Sequence, residues 1–508
     1  MLSSCQKNKG VRQVGLSDFA ELRTSKYEIS DDRIFTDIKR LISREESQCI
    51  ADIHTRRHYL HTTEMLWITR SGVSVNADSL LACVSRVDTL GLSREYFYYT
   101  QLKDDLNRVR RLNFDPVSSS YYSAVRVFAR LEYYLTKSFL RYTEGQRFGF
   151  MNPYSAFNQL DQRKEDTLRV SYRSLYGWNT KIPNDKFLAV AQGVIKGDPV
   201  SFSDYLRASR PSDPLYYKFV NELNGRPLTK NNRKRLLCNI ERCRWINNGD
   251  YPQKHKKYVV VNIPALRLFA HNGAESLTMK IGVGSLDTKT PLLSSRIKRM
   301  DFNPQWVIPK SIVKSSVLHH VGNHSYFDSH NYFVRERSTG RIVDIENVTR
   351  DMLLSSSYSV VQWGGRGNAL GRVIFRFDND YSIYLHDTSS RDVFSRTNRT
   401  VSHGCIRVEK PYDLAVFMLN ERDEALEEKM KYSMTADFSE RPIAYEENAE
   451  KPDKKKMVRS LKVEPSVPIY IAYFTMYPDI DGNIVSYDDL YGYDDVIYTR
   501  IKNVLSVK

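Results

Sequence analysis

The residues with the clearest capacity for chemistry lie between Tyr384 and Pro411, in YLHDTSSRDVFSRTNRTVSHGCIRVEKP. One cysteine, Cys405, follows His403 and Gly404 and precedes Arg407, with a second histidine, His386, upstream. A thiol with a pKa near 8.5 is only about 3% ionised at pH 7, so it needs help to become a nucleophile. His386 would supply a base, and a helix expected from Pro411 would supply a positive end close to the sulfur. Gly404 would let the backbone approach a substrate closely. The N–H groups around His403, Gly404 and Cys405 would then face a developing oxyanion. On these residues alone three readings stay open: a catalytic thiol, a metal site, or a buried cysteine beside incidental histidines. The metal reading has the poorest chemistry. A His-x-Cys turn followed by a guanidinium suits a carboxylate better than a cation.

Two further clusters raise the same question. LHHVGNHSYFDSHN holds His319, His320, His324 and His330, and His320 with His324 has the i,i+4 spacing of a metal pair. No HExxH pattern accompanies it, so solvated or core histidines are the reading. Cys238 and Cys243 form a lone pair in LLCNIERCRW, too few ligands for zinc, and read as helix-surface or core cysteines.

Elements must position the 384–411 residues. Between about 30 and 250 the pattern is helical: Ala124, Phe128, Leu131, Leu135 and Phe139 recur on one stripe, and DKFLAVAQGVIKG stops at Gly197. From Lys257 it turns to strands. Asn272-Gly273 separates an apolar run from alternation at Leu277, Met279, Ile281 and Val283, a hairpin signal. A second hairpin is expected in GRVIFRFDNDYSIYLHDT, turning at Asp378-Asn379-Asp380. On its return strand Tyr384 and His386 share a face opposite Ile383 and Leu385. After Cys405, Pro411 opens a helix with a Leu414, Phe417, Met418 stripe.

The chain of 508 residues has room for two or three cores, and its formal charge of +16 raises the question of nucleic acid. The basic residues are dispersed among many acids with no RNA-binding signature, so an anionic surface such as a cell wall or membrane face explains the charge and nucleic acid is not expected. No apolar run is long enough to span a bilayer. Leu2-Ser3-Ser4-Cys5 looks like a lipobox, which makes Cys5 a lipidation candidate and a membrane anchor an expectation, although the preceding basic and apolar portions of a signal peptide are missing.

At SHGCIRV the sequence resembles the signature of the YkuD-type L,D-transpeptidases, a histidine followed within twenty residues by Ser/Thr-His-Gly-Cys. YVVVNIPALRLF, IGVGSLDTKTP, FNPQWVIPKSI, GNALGRVIF and DGNIVSYDDLYG resemble, in order, segments of the large YcbB-like branch, and IERCRW resembles its join to a scaffold domain. The resemblance implies an α+β chain. It divides into a tail at 1–29, a helical scaffold domain at 30–250, and a β-rich YkuD-type catalytic domain at 251–508 with a capping insertion at 311–360 and a charged loop at 440–462. Relatives often place a small peptidoglycan-binding module between scaffold and catalytic domain, and this sequence leaves no room for one.

The resemblance also implies roles. Cys405 is the nucleophile and His386 its base. His403, Gly404 and Asp387 shape the site, with Asp387 acting through its backbone carbonyl. Arg407, Ser402, Tyr384 and Trp306 contact substrate or wall the pocket. The implied activity is peptidoglycan L,D-transpeptidation: a thioester on the third residue of a tetrapeptide stem, release of D-Ala, and transfer to the amine of a second stem. Water or a protein amine as acceptor are the alternatives, as is a non-catalytic wall-binding protein. The expectation is a monomeric periplasmic or cell-envelope enzyme with no cofactor or metal, acylated by carbapenems.

Overall fold

The computed structural model describes residues 29–506, apart from 63, 70–71, 118, 164–169, 198–199, 246–249 and 442–451. Cys5 lies outside the described residues. Helices dominate the first half and strands the second, an α+β arrangement with a helical unit ahead of a β-rich one.

The scaffold is organised by one long helix, Ala124–Phe148. The sequence pattern predicts a single apolar stripe, whereas nearly every side of this helix is buried. Other helices pack around it, and its buried charged residues are paired rather than solvated. Arg130 meets Asp105 and Arg141 meets Asp52, each through two nitrogens. Glu132 accepts from the backbone N–H groups of Trp67 and Ile68 at 3.1 Å and from the Tyr59 hydroxyl at 2.7 Å. Buried charges persist only with partners of this kind. The helix Asp185–Lys196 is capped by the Asn184 side chain and ends on Gly197 at φ +97°, the expected stop.

The second half is built on a sheet that closes on itself. Strand Val373–Phe377 pairs with Leu385–His386 on one side and with Leu292–Phe302 on the other. The path between them runs through Ile406–Val408, Glu275–Gly284, Arg267–Asn272, Lys257–Asn262 and Ser460–Ala472. Closure leaves few free strand edges. The first hairpin forms with Asn272 paired to Glu275, so its turn is Gly273-Ala274, one residue later than the Asn-Gly signal indicates. In the second, the Asn379 side chain organises the turn by accepting from Tyr381 N–H and Ile383 N–H and donating to the carbonyls of Phe377 and Ile383.

A smaller four-stranded sheet, ordered Ile342–Val343, Tyr332–Glu336, Tyr358–Gln362 and Trp306–Val307, has a core of its own around Val313, Phe327, Leu353 and Val360. The two halves of the chain, by contrast, share one core. Tyr176–Gly177 from the helical half extends the large sheet beside Leu292–Leu293, and the Trp178 indole donates to the Ile471 carbonyl at 3.1 Å. Helix Lys230–Trp245 packs on helix Tyr493–Ile501, where Arg242 pairs with Asp494 at 2.7 Å.

Candidate active site

Two short parallel strands set the site. Leu385 pairs with Ile406 and His386 with Arg407, and the Ile406 N–H donates to the Tyr384 carbonyl at 3.0 Å. Period-two alternation then puts Tyr384, His386, Cys405 and Arg407 on one face, while Leu385 and Ile406 enter the core with no exposure. The sequence pattern predicts this face for Tyr384 and His386, and the parallel register brings Cys405 to it.

The His386 ring is buried, and its Nδ1–H donates to the Asp387 carbonyl at 2.5 Å. The Leu370 carbonyl also lies beside the ring. Burial, reinforced by the Arg407 charge, lowers its pKa to about 4. Burial likewise raises Cys405 to about 11, opposed by Tyr384 through its backbone and its phenol, and by Arg407. Both groups are therefore neutral at pH 7. This corrects the expectation of a thiol activated by a helix end. Strand Ile406–Val408 separates Cys405 from the helix Pro411–Met418, and the field of a helix terminus fades within a turn.

Of the other predicted site residues, Tyr384, Trp306, Arg407 and Asp387 lie around this face. The Tyr384 hydroxyl faces the sulfur and the Trp306 indole, and its ring stands edge-on to His386 at 5.9 Å. Trp306 thus links the small sheet to the cysteine. Arg407 is half-buried, its Nε without a hydrogen-bond partner among the described residues. The Asp387 carbonyl accepts from the His386 ring, while its carboxylate accepts from Arg372 N–H at 2.8 Å and from Arg391 at 3.2 Å. Gly371, at φ +65°, touches that carboxylate so closely that a Cβ would lie 2.4 Å from it.

The Ser-His-Gly segment is a backbone device. Gly404 holds φ +119°, left-handed space that disfavours a side chain. Ser402 Oγ donates to the Cys405 carbonyl at 2.6 Å and accepts from the Gly404 N–H at 3.1 Å. That N–H is taken, which removes it from the oxyanion-facing set. The His403 side chain is exposed and stands apart from the cluster.

Sequence reasoning missed the support beneath this turn. Buried Thr290 donates to the Gly404 carbonyl at 2.8 Å and accepts from Gly284 N–H at 2.9 Å, while Tyr491 donates to the Gly284 carbonyl at 2.6 Å. Thr290 is 114 positions from Gly404 and Tyr491 207 from Gly284, so no local period could reveal either.

Two grooves border residues next to the pair. One of about 990 Å³ begins at Tyr384 and is lined by Lys298, Arg376, Lys462 and Glu464. Another of about 640 Å³ opens beyond Asp387, lined by Thr388, Arg391, Tyr412 and Lys431. Among the described residues no three His, Cys, Asp or Glu side chains converge as metal ligands, and no helix is long and apolar enough to cross a membrane. In the His-rich segment, His320 stacks on Tyr326 at 3.8 Å and His330 packs on the same ring at 4.2 Å.

Residues 256–425 match the YkuD family, the L,D-transpeptidase catalytic domain, and residues 54–223 match the Scaffold domain family. This is a YkuD-type L,D-transpeptidase domain joined to a scaffold domain. The YcbB-like pairing of the two is thereby established. A Haemophilus influenzae protein named "Putative L,D-transpeptidase" is 28% identical over 296 residues, 57% of this chain and 55% of the relative, so the match spans about half of each. An L,D-transpeptidase from Mycobacterium smegmatis is 15% identical, covering 32% of this chain and 53% of that one, at a TM-score of 0.17 that has no bearing on the fold.

Proposed function

We propose that the chain cross-links peptidoglycan by joining the third residues of two stem peptides through a thioester on Cys405. The observation that carries this reading is the shared face of Tyr384, His386, Cys405 and Arg407, with a groove of about 990 Å³ bordered by Tyr384. With both groups neutral, the proton must move as the bond forms. Sγ attacks the carbonyl of the third residue while Nε2 of His386 takes the thiol proton, Nδ1 being engaged with Asp387. The tetrahedral intermediate collapses as D-Ala leaves with that proton on its amine. An acceptor amine then attacks the thioester, gives its proton to His386, and the thiol is restored. Two stems need two approaches, and grooves bordered by Tyr384 and by Asp387 are the candidates for them. The reading places the protein in the cell envelope, with carbapenems as acylating inhibitors and Cys5 as a lipid attachment point.

Incubation with purified disaccharide-tetrapeptide, followed by mass spectrometry, tests it. The expected product is a dimer lacking one D-Ala, absent in Cys405→Ala. Free tripeptide alone would point to a carboxypeptidase instead, and cross-linking by Cys405→Ala would overturn the mechanism.

A further inference from the structure

Three consecutive residues, Thr288, Lys289 and Thr290, join the turn before Cys405 to the scaffold. The Thr288 hydroxyl donates to the Ser402 carbonyl at 2.8 Å, and the Ser285 N–H reaches the same oxygen at 2.9 Å. The Thr290 hydroxyl donates to the Gly404 carbonyl at 2.8 Å. The carbonyls of the two residues flanking His403 are thus held by one short segment.

This hold has a consequence for the nucleophile. A peptide unit is planar and trans, so a fixed Gly404 carbonyl also fixes the Cys405 N–H, which points the opposite way. When the sulfur attacks a carbonyl, a pre-aimed N–H on the same residue can meet the oxyanion that forms, and such donors act only if they are already in place.

Lys289, between the two threonines, reaches the scaffold instead. Its Nζ donates to both carboxylate oxygens of Asp161, at 2.6 and 2.8 Å. The two side chains are only 14% and 21% exposed, so the pair is screened less than one on the open surface. Asp161 is itself fastened. Its carbonyl accepts from the Arg173 N–H at 2.8 Å, and the nearby Asn158 side chain accepts from the Leu175 and Tyr176 N–H groups at 2.7 and 2.8 Å. The Leu292 N–H in turn donates to the Leu175 carbonyl at 2.8 Å. The scaffold therefore grips the supporting segment at Lys289 and again at Leu292.

We propose that Asp161 is a positioning residue for acyl transfer: by holding Lys289 it steadies Thr288 and Thr290, and through them the aim of the Cys405 N–H. The inference rests on the thioester reading above and adds that the scaffold completes the support of the catalytic turn. Asp161 touches no reacting atom, and its effect passes through Lys289.

Two rates measured on the full chain test it: carbapenem acylation over a range of concentrations, read by mass shift, and alkylation by iodoacetamide, read on the Cys405 peptide. Alkylation forms no oxyanion. Asp161→Asn is expected to lower the maximal acylation rate at least about tenfold, with the half-saturating concentration and the alkylation rate within about twofold of wild type. Asp161→Glu should recover part of the loss. Lys289→Met should lower acylation equally, and adding Asp161→Asn to it should cost nothing more, because the two residues act as one unit. Unchanged acylation in both single variants overturns the proposal, as does a fall in acylation and alkylation by the same factor, which marks general loosening of the site. The wild-type chain beside Cys405→Ala reports separately on the thioester reading. Absence of Cys405-dependent acylation there sinks that reading, whereas an active wild type with equally active variants sinks only this one.

Discussion

The Thr290 hydroxyl donates to the Gly404 carbonyl and accepts from the Gly284 N–H, fastening the turn before the cysteine to the end of a strand in the main sheet. Thr290→Val keeps the shape and leaves two buried backbone groups unpaired. A loss of about 1–3 kcal/mol in stability is expected from each unsatisfied group. Denaturant unfolding and carbapenem acylation followed by mass shift check it, with acylation slowed at least about tenfold as the turn loosens.

The acid limb of the acylation rate should lie near pH 4, where His386 titrates. Below that pH the ring is protonated and cannot accept the thiol proton, so the rate rises as pH increases through it. It then stays level until Cys405 itself ionises near 11. Stopped-flow acylation between pH 3.5 and 9 reads the limb, and a midpoint at 6.5 would contradict a buried, Arg407-flanked imidazole.

Arg407 lowers the pKa of both members of the pair. In Arg407→Met the positive field disappears and both rise, so the acid limb moves to higher pH and the plateau rate drops. A profile superimposable on the wild type would show that Arg407 contacts substrate only.

Gly371→Ala forces a Cβ into the Asp387 carboxylate at a positive φ. The Asp387 carbonyl that fixes His386 must shift with it. Acylation is expected to fall about a hundredfold, the scale of a misplaced catalytic group, with near-UV circular dichroism showing the remaining packing intact.

Asp494→Asn strands the buried Arg242 guanidinium between the two halves. Removing one partner of a buried pair costs about 3–5 kcal/mol. Because the halves share a core, tryptophan signals from Trp67 and Trp178 should shift to lower denaturant together with loss of acylation.

Much of this was legible from local pattern. The stop at Gly197, both hairpins and the common face of Tyr384 and His386 follow from periods of 3.6 and 2 and from turn chemistry. The thiol's surroundings were less so. A strand rather than a helix start follows Cys405, because Ile406 and Val408 alternate into the core. The long helix Ala124–Phe148 misled for another reason: its charged residues are indistinguishable in sequence from a solvated face until Asp52 and Asp105 arrive from elsewhere. Thr290, Tyr491 and Gly371 act across distances in the chain that no window covers.

The strand Tyr176–Gly177 belongs to the sheet that His386 and Cys405 occupy, yet it is synthesised well before its partner Leu292–Leu293. At ribosomal rates of about 5–20 residues per second the delay is on the order of ten seconds. During that interval the nascent scaffold displays Trp178 without Tyr470, on which it packs, or the Ile471 carbonyl, to which it donates. Folding of the first half is therefore provisional until the second emerges, and the catalytic face is completed only in a chain whose early half has waited without misassembling.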